Sequence, residues 1–141
     1  LNLIIVLSFI GCGSSPVIKA KTFFTPKNTT DSNILKTCDS VEIELRDEEK
    51  KQIKISDSKS LASLLLLING AESTDDHMCR SIATLKFFSG NSELLFYILP
   101  GHKDEFYEFR YGDSIYKINR AKFIEINEIK IIKEKLLSPD N

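Results

Sequence analysis

Glycine and proline are scarce, six and four in 141 residues, which excludes collagen-like and low-complexity classes. An excess of charge of one sign is absent too. Nineteen Lys and Arg stand against 20 Asp and Glu, for a formal net charge of −1. That removes the electrostatic case for a nucleic-acid partner. Histidine occurs twice, at His77 and His102, and no GxGxxG, GxxxxGK[ST], HExxH, CxxC or GxSxG pattern is present. Pairings such as Ser81 with His77, or Ser89 and Ser92 with His102, arise in any chain of this size. No catalytic residue, cofactor or enzymatic activity is therefore expected. What is present is 42% hydrophobic and 28% charged residues, too apolar for a disordered chain and of a length that suits one domain.

The N-terminus carries the most specific signal. Residues 1–10 read LNLIIVLSFI, eight of ten apolar, and Gly11-Cys12-Gly13-Ser14-Ser15 follows. As a helix the run spans about 15 Å, half of a bilayer core, but it has the length of a secretory h-region. With small residues around a cysteine, it resembles a bacterial lipoprotein signal peptide. Phe9-Ile10-Gly11-Cys12 stands at the lipobox, Gly11 before the cleaved bond and Cys12 as the lipidated residue. Phe9 occupies a position where that family usually has Leu, and no Met, Lys or Arg precedes the run. The first residue is thus either a non-Met start or an internal one. The resemblance implies removal of residues 1–11, a diacylglycerol on the Cys12 thiol and usually an acyl chain on its amino group, which together anchor stably. It also implies the bacterial cell envelope. Gly13 after Cys12, rather than Asp, points to the outer membrane in bacteria that sort by that rule.

Residues 12–37 read as the lipidated Cys and a tether, rich in Ser, Thr, Asn, Lys and Pro. Phe23 and Phe24 are anomalous there, either packing against the domain or contacting a membrane or partner. Residues 38–137 are expected to form the domain and 138–141 a tail. Cys38 and Cys79 each precede an expected strand. In an oxidising compartment they read as a disulfide, worth roughly 4 kcal/mol in the chain-entropy account. The rival is a metal site at Asp75-Asp76-His77-Met78-Cys79, disfavoured because five consecutive residues cannot converge on one ion.

Alternation predicts strands at Val41–Leu45 and Ile53–Ile55, then a helix after Ser56-Asp57 with Leu61, Leu64, Leu65 and Ile68 inward, widened by Leu66 and Leu67, and stopped by Gly70. After an acidic loop at 72–76, strands follow at 80–89, 92–99, 105–111 and 114–118, with Gly90-Asn91 and Gly112-Asp113 as tight turns. Residues 94–99 are apolar on both faces, the pattern of a central strand. Phe123, Ile126, Ile129, Ile132 and Leu136 predict a terminal amphipathic helix. The order β-β-α-β-β-β-β-α predicts an α+β two-layer sandwich, an antiparallel sheet of about six strands with two helices on one face.

Residues 105–111 concentrate aromatic and charged groups. Tyr107, Phe109 and Tyr111 share one face; Phe106, Glu108 and Arg110 share the other. Whichever set lies opposite the helices meets solvent or a partner, as in interfaces built on Tyr and Arg. The expected function is a membrane-tethered, non-catalytic binding module for a protein or envelope polymer, with a homodimer as rival. The alternative is an envelope enzyme inhibitor, or a small enzyme, using loop 74–78 or 100–103. Cys12→Ser should release the protein from the membrane fraction and abolish lipid labelling. A variant that still pellets and still carries lipid label overturns the lipobox assignment.

Overall fold

The computed structural model describes residues 22–47, 49–75, 79–101, 103 and 105–137. Cys12, the expected signal segment and residues 138–141 lie outside them. In chain order the elements are α1 (Thr29–Lys36), β1 (Ser40–Leu45), β2 (Gln52–Ile55), α2 (Ser58–Asn69), β3 (Glu72–Thr74), β4 (Ala83–Ser89), β5 (Ser92–Pro100), β6 (Phe106–Tyr111), β7 (Ser114–Asn119), α3 (Arg120–Ile124), α4 (Asn127–Lys130) and α5 (Lys133–Leu137). The strands form one antiparallel sheet ordered β2-β1-β4-β5-β6-β7-β3.

Period-two alternation fixes the buried face. Ile43 pairs with Leu85, which pairs with Phe96, and all three are buried. Tyr107, Phe109 and Tyr111 continue that face on β6, and Tyr116 and Ile118 on β7. Leu61, Leu64 and Ile68 of α2 and Phe123, Ile129 and Leu136 of the C-terminal helices join the same core, as do Ile34 and Leu35 of α1. The helices therefore share one face. This is the expected α+β two-layer arrangement, with one strand and three helices more among the described residues. Gly90 and Gly112 both have φ of 58° at the two tight hairpins, the left-handed conformation that glycine adopts without steric cost.

Four differences from the expected layout have physical causes. The domain starts well before residue 38. Phe24 is 5% exposed and meets Phe96, Phe109, Tyr111 and Tyr116 edge-on at centroid distances of 5.6, 5.6, 5.3 and 5.3 Å. Its amide donates to Ala71 O at 2.8 Å, and Ser73 N–H donates to Thr22 O at 2.7 Å. The Lys27 amide donates to Tyr111 Oη at 2.7 Å, and the Tyr111 hydroxyl donates to Asp31 Oδ2 at 2.6 Å. Asn28 caps α1 through the Asp31 amide. The polar composition of 22–37 serves caps and turns. Glu72–Thr74, expected as loop, is likewise a strand, between β7 and the Phe23 bridge.

The C-terminal helix is three short helices. Its inward residues are spaced by three, and in a straight α-helix each such step rotates about 60° off the face. Ile126, with φ −63° and ψ 128°, is extended and breaks the helix between α3 and α4. The interruption lets Phe123, Ile126, Ile129 and Ile132 all be buried.

The expected Cys38–Cys79 disulfide is not formed. Both residues do precede neighbouring strands, but β1 and β4 are antiparallel, with Ser40 opposite Phe88 and Leu45 opposite Ala83. The two strand starts lie at opposite ends. Five residue steps at about 3.4 Å separate them by about 17 Å, beyond the roughly 7 Å limit between bridged Cα atoms.

Phe24→Ala should destabilise the domain by about 3–5 kcal/mol in urea unfolding, the range for deleting a buried ring. A change below about 1 kcal/mol would place the segment outside the core. Mass spectrometry of unreduced protein should show no Cys38–Cys79 linked peptide. Burial pushes the Cys38 thiol upward, outweighing the opposing effect of backbone hydrogen bonding at Phe88 and Ser40. Its alkylation in the folded protein should therefore be slow at neutral pH and accelerate only above the ordinary thiol range of about 8.5. A linked peptide would overturn the β1–β4 register.

Candidate functional site

With the helices on one face, the other face of the sheet is open to whatever the domain meets. Its rows follow from the register. Thr84, Tyr97, Arg110 and Ile115 form one row across β4, β5, β6 and β7. Leu95 stands beside Lys86, and Leu99, Glu108, Lys117 and Glu72 form another row. Cross-strand neighbours of this kind have Cβ atoms about 4.5–5.5 Å apart.

The sheet separates the two sets of the 105–111 stretch. Tyr107, Phe109 and Tyr111 are core, so they cannot touch a partner directly. Burial raises the Tyr107 phenol above its ordinary range, partly offset by the Arg120 guanidinium 4.7 Å from its ring centroid. Burial also raises Tyr111, reinforced by its bond to Asp31. Phe106, Glu108 and Arg110 lie on the open face. Glu108 is nonetheless only 5% exposed, directly across from Lys117 as a cross-strand charge partner. Phe106 is half-buried with Lys117 Nζ 4.9 Å above its ring, and Arg110 is half-buried.

Across β4 to β7 the most exposed large apolar groups of this face belong to β5: Leu95 at 37% and Tyr97 at 38%. Sequence reasoning placed β5 at the sheet centre, where it is, from a run that is apolar on both faces. Lys86, Glu93 and Arg110 fall on the same side as Leu95 and Tyr97, and that charge pattern was the signal for a solvent face. The patch is smaller than a bare sheet face would give, because Leu99, Glu108 and Ile115 are buried. All three lie on β5, β6 and β7. These strands separate β3 from β4 in the sheet order.

A second concavity, about 950 Å³, lies between α2, α3 and the end of β7. Leu66, Leu67, Ala71 and Ile118 make its apolar wall, and the Glu72–Lys117 ion pair (3.9 Å) stands at its rim. No histidine or cysteine lines it. Among the described residues no three His, Cys, Asp or Glu side chains gather as a metal site. His77 and His102 lie outside the described residues, as do Asp76, Met78 and Asp104. Cys79 is half-buried ahead of β4, and Cys38 donates its thiol to Ser40 O at 3.3 Å. The loops proposed for an inhibitory or enzymatic role are thus described only in part.

No protein family, no curated protein and no solved structure matches this chain.

Proposed function

We propose that this chain is a lipid-anchored bacterial envelope protein, outer membrane more than inner. Its domain is a non-catalytic module that binds a protein partner through the open sheet face. The observation that carries the reading is the one-sided sheet. All the helices of the described chain pack on one face, and the other presents exposed Leu95 and Tyr97 between half-buried Lys86 and Arg110. Tyr and Arg around a small apolar centre is the composition of interface hot spots. The Cys12 lipobox supports the address, and among the described residues no helix is long and apolar enough to cross a membrane.

A photo-crosslinking residue at position 97, in cells carrying the full chain, should give a discrete membrane-fraction adduct. Arg110→Glu should weaken it about tenfold or more, since truncated or reversed hot spots cost about 2 kcal/mol. The same crosslinker at Lys54, an exposed position on the edge strand β2, should give none. An adduct of twice the chain mass would identify a homodimer instead. No adduct at position 97 places the functional surface elsewhere.

A further inference from the structure

We propose that the domain rests edge-first on the bilayer, with the Thr22–Phe24/β3 edge as its lipid-facing side and Phe23 and Leu66 as the contacting side chains. The inference rests on the lipidation of Cys12 and adds which surface the anchored domain turns to the membrane.

The first consideration is reach. Thr22 is not tether: its carbonyl accepts from Ser73 N–H, and its hydroxyl donates to Ser73 Oγ at 2.7 Å. The covalent path from Cys12 to this fixed point is ten peptide steps, at most about 35 Å fully extended. A tether running to residue 37 would have allowed more than twice that. The chain enters the domain beside β3, which is the last strand of the sheet order. The opposite edge, β2, lies about 29 Å further away across six strand spacings.

The second consideration is what this edge displays. Backbone alternation sends Phe24 into the core and leaves Phe23, its neighbour, 59% exposed. Leu66 is 75% exposed, the most exposed large apolar side chain among the described residues. The sequence places it in an inward stripe, but it sits two residues past buried Leu64, about 200° around the helix, and so points away from the core. Both flank the same short stretch of chain. Phe23 bridges to Glu72, and Leu66 lines the groove that Ala71 and Glu72 close. Ile131, also exposed, follows α4, which packs on β2 at the far edge. The sequence between anchor and edge carries Lys19 and Lys21 and no Asp or Glu, a charge that suits anionic headgroups. Edge-on seating leaves the Leu95–Tyr97 face perpendicular to the bilayer and accessible.

The chain has no tryptophan, so a single introduced indole reports its own depth. The full-length lipidated protein would be prepared as Phe23→Trp, Leu66→Trp and Tyr97→Trp. Each would be reconstituted in phosphatidylcholine/phosphatidylglycerol vesicles with and without brominated phosphatidylcholine. Circular dichroism checks the fold and intact mass checks the lipid on Cys12. The indoles at positions 23 and 66 should lose about half or more of their emission to the brominated lipid and shift blue, while position 97 stays unquenched, as expected for groups about 5–10 Å into the interface. Quenching at 97 but not at 23 and 66 would mean that the domain lies on its open face. No quenching at any position, with lipid present on Cys12, would mean that the tether holds the domain off the bilayer. Either result overturns the edge-on arrangement and leaves the lipidation reading standing. Absence of lipid on Cys12 overturns both.

Discussion

One ring holds the architecture's asymmetry together. Phe24 enters the core at the β3 edge and meets four aromatic rings from β5, β6 and β7. Phe96, Phe109 and Tyr116 are themselves stacked, at 5.0 and 5.3 Å, so the cluster forms a continuous aromatic layer on the helix side of the sheet. Edge-to-face pairs each add about 0.5–1.5 kcal/mol beyond area burial. Without Phe24 the layer would end in a void beside a three-residue edge strand. The same insertion fixes Thr22 against Ser73 and brings Tyr111 between Lys27 and Asp31. Where the chain enters the described domain is therefore decided by core packing.

That constraint explains why the two faces of the sheet differ. A seven-stranded sheet has two sides, and the helices are long enough to cover one. α2 crosses from the β2 edge to the β3 edge, α1 and the Phe24 segment fill beside it, and the three C-terminal helices complete the layer. The opposite face has to be tolerable in water. It manages this with charges directly across from one another, Glu42 beside Lys54 and Lys86, and Glu108 beside Lys117. A surface pair such as Glu42 and Lys54 contributes under about 1 kcal/mol, whereas Glu108 is itself buried. The effect of these pairs is chiefly to leave Leu95 and Tyr97 as an isolated apolar centre in a charged surround, a shape that favours a specific contact over general stickiness.

The sheet and α2 were legible because period-two and period-3.6 patterns survive wherever one side is buried. Val41–Leu45, the hairpin glycines and the Leu61–Ile68 stripe all carry that mark. What was not legible depended on contacts distant in sequence. Phe24 looks like an oddity in a polar stretch until the aromatic layer is in view. β3 is too short to show periodicity and exists because β7 needs a partner. The disulfide expectation failed on strand direction, which local pattern does not encode. The 105–111 stretch was correctly divided into two faces. Which face was buried followed from the side on which the helices pack, and the exposed centre lies one strand over, on β5.

The energetics of the proposed membrane contact would fit an anchored domain better than a free one. Burying what remains exposed of Phe23 and Leu66 is worth about 2–4 kcal/mol. A free domain with that affinity would bind only at millimolar concentration or weaker. A short flexible tether itself imposes an effective concentration in the millimolar range. On the proposed reading the contact alone would be too weak to localise the protein, and a lipid on Cys12 alone would be indifferent to orientation. Together they would bias the domain toward one edge without fixing it there. A partner arriving laterally would then find the Tyr97–Arg110 face already turned to meet it, and ordering the domain would cost less at binding than it would for one swinging freely on a long leash.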